Sequence, residues 1–172
     1  MRILFATDGS LHAKAALRTL IQRPWPKHTS VRVISVARPW PLIGDPMFTG
    51  AAIYVDHLIQ EEHRAEAEVK ECQLALLALA SDFSVSTAVR EGDPVECILE
   101  EALAWRADLI VLGAHGKGTL VSMVLGSVAR GIADRAPCSV EIVRLSQLQH
   151  DVAGDHEQEH SEDLLQRDLR HA

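Results

Sequence analysis

Short apolar runs alternate with amphipathic stretches along most of the chain. Arg2–Thr7 (RILFAT) is an apolar run of the kind that forms a buried strand. It ends at Asp8-Gly9-Ser10, which joins turn residues to helix-capping residues. Leu11, Ala15, Leu17, Leu20 and Ile21 then share roughly one helical face, and Pro24 and Pro26 stop that helix. Val31–Ala37 is rich in β-branched residues and predicts a second strand. Arg38–Gly50 holds three prolines and two glycines in thirteen residues, which predicts a loop. A connection that long in a compact domain suggests a lid or a rim around a site.

Ala51–Ala80 carries the longest helical pattern. Leu58, Ala65, Val69, Cys72, Leu76 and Leu79 recur at steps of seven, four, three, four and three. Glu61, Glu62, Glu66, Glu68, Lys70 and Glu71 fall between them and read as a solvated, mainly acidic face. Ser84–Val89 predicts a short edge strand. In Gly92-Asp93-Pro94, Asp93 suits a helix N-cap and Pro94 the first helical position. Val95, Ile98, Leu99 and Ala102 mark the next helix, and Asp108–Leu112 (DLIVL) is a buried strand. A glycine-rich loop follows, then a helix to about Ala136, a stop at Pro137, and a last strand at Ser139–Val143.

Strict alternation of strand and helix implies an α/β fold: an open, five-stranded parallel sheet with helices on both faces, Rossmann-like. Ligands in such sheets bind outside the carboxyl ends of the strands, near the point where strand order reverses. Asp8 and Gly113, at the ends of the first and fourth strands, are the natural candidates.

Composition narrows the reading. The 172 residues suit one domain, expected over 1–145, with 146–172 as a separate tail. That tail holds seven Asp/Glu against two Arg, and four of the nine His, and reads as acidic and solvated. The net charge of −7 argues against nucleic acid as a main partner. Cys72, Cys97 and Cys138 are odd in number with no CxxC, so neither a disulfide framework nor a structural zinc site is expected. No leader-like segment opens the chain, and no run approaches ~18 apolar residues, so no membrane partner is expected and the predicted location is cytoplasmic.

Candidate chemistry concentrates in Gly113–Ser127, GAHGKGTLVSMVLGS. Five of the ten glycines fall between Gly113 and Gly131. A strand, a glycine-rich loop and a helix start together aim backbone N–H groups at phosphate. Two familiar phosphate loops fail here. Gly113-x4-Gly118 has Walker spacing, but Thr119 stands where that motif needs Lys. Gly116-Lys117-Gly118 lacks the third glycine of a dinucleotide fingerprint and follows the wrong strand. What is present is Gly113-x2-Gly116-x9-Gly126-Ser127. Gly113 and Gly116 would let the backbone wrap ribose and phosphates without Cβ clashes. The N–H groups of Gly126 and Ser127, and the Ser127 hydroxyl, would donate to phosphate at the helix start, with the amides of Val128 and Ala129 next. Lys117 reads either as a phosphate contact or as a solvated loop charge. His115 meets a ligand through its backbone or is simply an exposed loop residue.

This spacing resembles the universal stress proteins, in the subgroup that binds ATP, whose pattern is G-x2-G-x9-G-[S/T]. Ala6-Thr7-Asp8-Gly9-Ser10, Gly92-Asp93-Pro94 and Pro137-Cys138-Ser139-Val140 are similar to that family's landmarks, and the resemblance covers about Met1–Leu145. It implies an adenine nucleotide α hydrolase-like fold with ATP as ligand and Mg²⁺ held through the nucleotide. Asp8 would lie near the phosphates and ligate Mg²⁺ through oxygen, although a helix-cap role is the simpler reading of Asp8 alone. Ala6 and Thr7 would line the ribose side, Val36 would flank adenine, and Leu112 would pack on the base. The resemblance also implies a homodimer through the strand Ser139–Arg144 and a protein partner, of unknown identity, that reads the nucleotide state. A slow ATPase and a nucleotide-independent scaffold are the alternatives. No HExxH or GxSxG occurs to suggest other chemistry.

Overall fold

The computed structural model describes residues 1–39, 50–79, 83–117 and 125–145, with the side chains of 50–54 excluded. Most of the predicted loop at Arg38–Gly50 and all of the tail from Ser146 therefore lie outside the described residues. The elements run β1 (Arg2–Ala6), α1 (Leu11–Gln22), β2 (Ser30–Ala37), α2 (Gly50–Leu79), β3 (Ser84–Glu91), α3 (Pro94–Trp105), β4 (Leu109–Gly113), α4 (Ser127–Arg135) and β5 (Ser139–Val143). All strand pairs are parallel, in the order β3-β2-β1-β4-β5. The alternating pattern thus gives the expected open sheet. β3 is two residues longer than predicted and does sit at an edge.

Local chemistry sets the helix ends. The Ser10 hydroxyl accepts from the Ala13 N–H at 3.2 Å and starts α1. Asp93 Oδ1 accepts from the N–H groups of Val95 (2.9 Å) and Glu96 (3.1 Å), with Pro94 in the first turn of α3. That helix ends at Arg106 in a left-handed conformation, φ 54°.

The pleat divides the core between the two faces of the sheet. Ile3, Phe5, Val31, Val33, Leu109 and Val111 pack under α1 and α2, against Ala16, Leu20, Val69 and Leu76. Leu4, Ala6, Ile34, Val36, Ile110 and Leu112 pack under α3 and α4, against Ile98, Ala102, Ala129 and Ile132. Aliphatic side chains dominate both layers, as the low aromatic content requires. Each fully buried one contributes about 1.5–3 kcal/mol relative to exposure.

The predicted apolar stripe of α2 holds from Ala65 to Leu76, but Leu79 is exposed. Glu68, expected on the solvated face, is buried. It falls three residues after Ala65 and four before Cys72, so it shares their side of the helix. Among the described residues, no helix is long and apolar enough to cross a membrane.

Candidate functional site

Strand order reverses between β1 and β4, and a cleft of about 390 Å³ opens there at the carboxyl ends of the strands. That volume lies in the range of small-molecule sites. Every residue expected at the site lines the cleft: Ala6 at the end of β1 with Thr7 and Asp8 after it, Val36 on β2, Leu112 to Gly116 around the end of β4, and Gly126 to Ala129 at the start of α4.

The β1 side is tied down by hydrogen bonds. Thr7 is buried, its N–H donates to Ile34 O at 2.9 Å, and its hydroxyl accepts from the Gly9 N–H at 3.2 Å. Gly9 has φ 71°, so the turn needs a residue tolerant of left-handed backbone. Asp8 is neither a helix cap nor free. Its Oδ1 accepts from the Ser10 N–H at 3.1 Å and its Oδ2 from the Lys117 N–H at 3.0 Å. Ser10, the actual cap, also donates its hydroxyl to His115 O at 3.2 Å. The β1 turn and the β4 loop are therefore sewn together before any ligand is considered.

The glycines are there for closeness, but not all toward a ligand. A Cβ on Gly113 would stand 2.6 Å from the His12 carbonyl carbon and 2.7 Å from the Ala13 nitrogen. Gly113 is thus fixed by the packing of β4 against the start of α1, which corrects the expectation that its bareness serves the nucleotide. A Cβ on Gly116 would meet Asp8 Oδ2 at 2.7 Å, and one on Gly126 would meet Ala114 O at 3.2 Å. The Gly126 N–H already donates to Ala114 O at 2.8 Å. The N–H groups left over at this helix start are therefore those of Ser127, Val128 and Ala129, without Gly126.

Those three are the first residues of α4, and the first N–H groups of a helix have no acceptor within it. Gly126 has the cap conformation, φ −66° and ψ 161°, but no side-chain cap bond. The exposed start of a helix with its positive dipole end thus borders the cleft, which suits an anion.

Several lining residues were not among the expected site residues. Arg38, Glu61 and Arg64 contribute charge, and Ile34, Pro94 and Ile98 contribute apolar wall. Arg64 donates to both oxygens of Glu61 (3.0 and 2.6 Å) and to Glu68 Oε1 (2.7 Å). The i,i+3 and i,i+4 spacing of these residues is the one trace the sequence offers. The Arg64 hydrogen bond holds the Glu61 carboxyl below its ordinary range, and the two carboxylates raise the guanidinium above its own. Lys117 is exposed but paired, because its Nζ donates to Glu68 Oε1 at 2.9 Å. His115 is half-buried and packs edge to face on His12 at 4.9 Å between ring centroids. Its Nδ1 is buried with no hydrogen-bond partner among the described residues. Beneath the β1 turn, burial pushes the Cys72 thiol up to about 11, so it stays protonated and unreactive.

The universal stress protein family model matches residues 1–144. The chain belongs to that family. A universal stress protein of Thermus aquaticus is 34% identical over 143 residues, spanning 83% of this chain and 97% of the relative. Among solved structures, universal stress protein UspA from Lactobacillus plantarum superposes with a TM-score of 0.72 at 24% identity, over 84% of this chain and 97% of that one. A family member from Arabidopsis thaliana with AMP bound gives 0.61 at 13% identity, over 87% and 94%. A universal stress protein in complex with cAMP gives 0.54 at 24% identity, over 85% and 98%. At these identities the superpositions speak for the fold. The five-stranded parallel architecture is the one these proteins share.

Proposed function

We propose that this universal stress protein binds ATP in the β1–β4 cleft and acts as a dimeric regulatory module in a stress response. The observation that carries the reading is the start of α4. Three successive helix-terminal amides, with no side chain capping them, border a cleft that has an apolar wall of Val36, Leu112 and Ile98 and a charged rim of Asp8, Arg38, Glu61, Arg64 and Lys117. Phosphates suit the amides, and a base suits the wall of Val36, Leu112 and Ile98. The AMP and cAMP complexes of related proteins support an adenine nucleotide as the ligand.

The residues present fit Mg²⁺ only as the nucleotide's companion. Among the described residues no group of three His, Cys, Asp or Glu could hold an ion alone. Asp8 supplies a carboxylate at the cleft, and bound Mg²⁺ would neutralise phosphate charge there. Both carboxylates that line the cleft among the described residues are already committed, Asp8 to two N–H groups and Glu61 to Arg64. Hydrolysis needs an oriented water and a base. Holding ATP is therefore favoured over cleaving it. A ligand that prefers one conformation of the loops shifts their population, and a partner reads the result.

The strand Ser139–Arg144 offers the dimer contact. β5 is an edge strand, and an edge invites pairing with a second copy.

The test is to denature the purified full chain, chromatograph the supernatant for adenine nucleotides, and titrate the protein with Mg²⁺-ATP by calorimetry. Bound nucleotide and a saturable heat are expected. Neither appearing would overturn the reading, and phosphate release above the no-protein background would favour the ATPase alternative.

A further inference from the structure

Glu68 is a buried carboxylate with three donors. Ser35 Oγ donates to Oε2 at 2.8 Å, while Arg64 Nη1 (2.7 Å) and Lys117 Nζ (2.9 Å) share Oε1. The carboxylate is 8% exposed and the Lys117 side chain 54%. Both press on the β1 turn, for a Cβ on Gly9 would lie 2.8 Å from Glu68 Oε1 and 3.2 Å from Lys117 Nζ. One acidic group of α2 thus touches β2, the β1 turn and the β4 loop together.

The three donors differ in what their departure would cost. Removing Arg64 would leave a buried negative charge beside one exposed amine, which is expensive. Removing Lys117 would leave Glu68 still neutralised by Arg64 and still bonded to Ser35. Lys117 also lines the cleft, whereas Glu68 does not border it. Its backbone is held independently, by the N–H bond to Asp8. The amine can therefore swing while its Cα stays fixed.

We propose that Lys117 is a phosphate-binding residue parked on Glu68, and that nucleotide binding moves its ammonium from the carboxylate to the polyphosphate. The inference rests on the nucleotide reading above and goes further, because it makes α2 sense occupancy. Glu68 competes with the ligand for one cation, so it opposes binding. When the cation leaves, α2 loses one of its ties to the β4 loop.

The two side chains then have opposite signs. Lys117→Gln weakens ATP binding about tenfold, the low end for a hydrogen bond to a charged group, and leaves adenosine binding within about twofold. Glu68→Gln strengthens ATP binding about threefold, in line with the modest worth of a half-exposed ion pair. The double variant matches Lys117→Gln, because the competition is for the lysine, while Arg64 keeps its two bonds to Glu61. Lys117→Arg retains most of the affinity. Calorimetric titration of the full chain with Mg²⁺-ATP and with adenosine measures all of these, with circular dichroism checking each fold. Weaker ATP binding in Glu68→Gln, or an unchanged affinity in Lys117→Gln while the wild type binds ATP, overturns the inference and leaves the nucleotide reading standing. A wild type that binds neither ligand removes both.

Discussion

Ser127→Pro separates the proposed phosphate site from the fold in one substitution. Ser127 is the first residue of α4 and is exposed. Proline is well tolerated at that position, since its fixed φ suits the helix and the missing N–H has no partner within it. The residue before a proline must be extended, and Gly126 already is, at φ −66° and ψ 161°. A compatible proline stabilises by about 0.4–1 kcal/mol through the unfolded chain. For a domain of this size that raises Tm by about 1–3 °C. The same change removes two donors, the Ser127 N–H and hydroxyl. At about 1.5 kcal/mol each, the low end for bonds to a charged acceptor, the loss is about 3 kcal/mol. ATP affinity should fall about 100-fold. Ser127→Ala, which loses only the hydroxyl, should fall about tenfold. Calorimetric titration reads the affinities and a thermal melt without nucleotide reads the stability. Unchanged ATP affinity in the proline variant would refute the assignment of these donors. A marked loss of stability would refute the argument about the helix start.

Gly113→Ala should destabilise the protein without nucleotide, by about 2–3 kcal/mol, because its Cβ meets backbone of α1 that cannot give way; a thermal melt lowered by about 6–10 °C checks this. Glu101→Ala should cost about 2 kcal/mol in urea unfolding, since Glu101 is buried and neutralises both Arg32 (2.7 Å) and Arg90 (2.5 Å), which would be left unpaired. Acid should erode stability through Glu61. Its folded carboxyl titrates below its unfolded value of 4.5, so the Arg64 pair contributes fully above that value and is lost as pH falls through the folded one. Glu61→Gln should flatten the stability–pH curve in that window, as read by melts at a series of pH values.

The fold was legible because a parallel sheet writes itself as apolar runs between amphipathic helices, and because Asp93-Pro94 and Ser10 announce helix starts. The spacing of Gly113, Gly116, Gly126 and Ser127 pointed to the corner of the molecule where the cleft opens. It could not say which glycine faces which neighbour. Gly113 serves α1 and Gly126 serves Ala114 O, and both facts depend on contacts between elements distant in the chain. Glu68 was hidden for a different reason. A glutamate among glutamates reads as solvated, and only tertiary contact with Ser35 and Lys117 shows that it is buried and neutralised. Its spacing from Ala65 and Cys72 was the available hint. Arg38 and Arg64 reach the cleft from elements whose placement no local pattern encodes.

The sheet's middle pair is its most separated in sequence. Ile3 lies beside Leu109, and the Arg2 N–H reaches the Asp108 carboxylate across 106 positions. During synthesis β1, β2 and β3 can associate long before β4 exists. The nascent half-sheet then presents Ile3, Leu4 and Phe5 along an open edge, the kind of surface that pairs with the wrong chain. Non-local parallel pairing is also slow to form. The cleft needs β4, so it is assembled in the last step. Nucleotide can stabilise only what binds it, by mass action on the finished domain. On the proposed nucleotide reading, abundant ATP protects mature protein from unfolding and does nothing for the half-made chain, whose survival depends on how soon its fourth strand arrives.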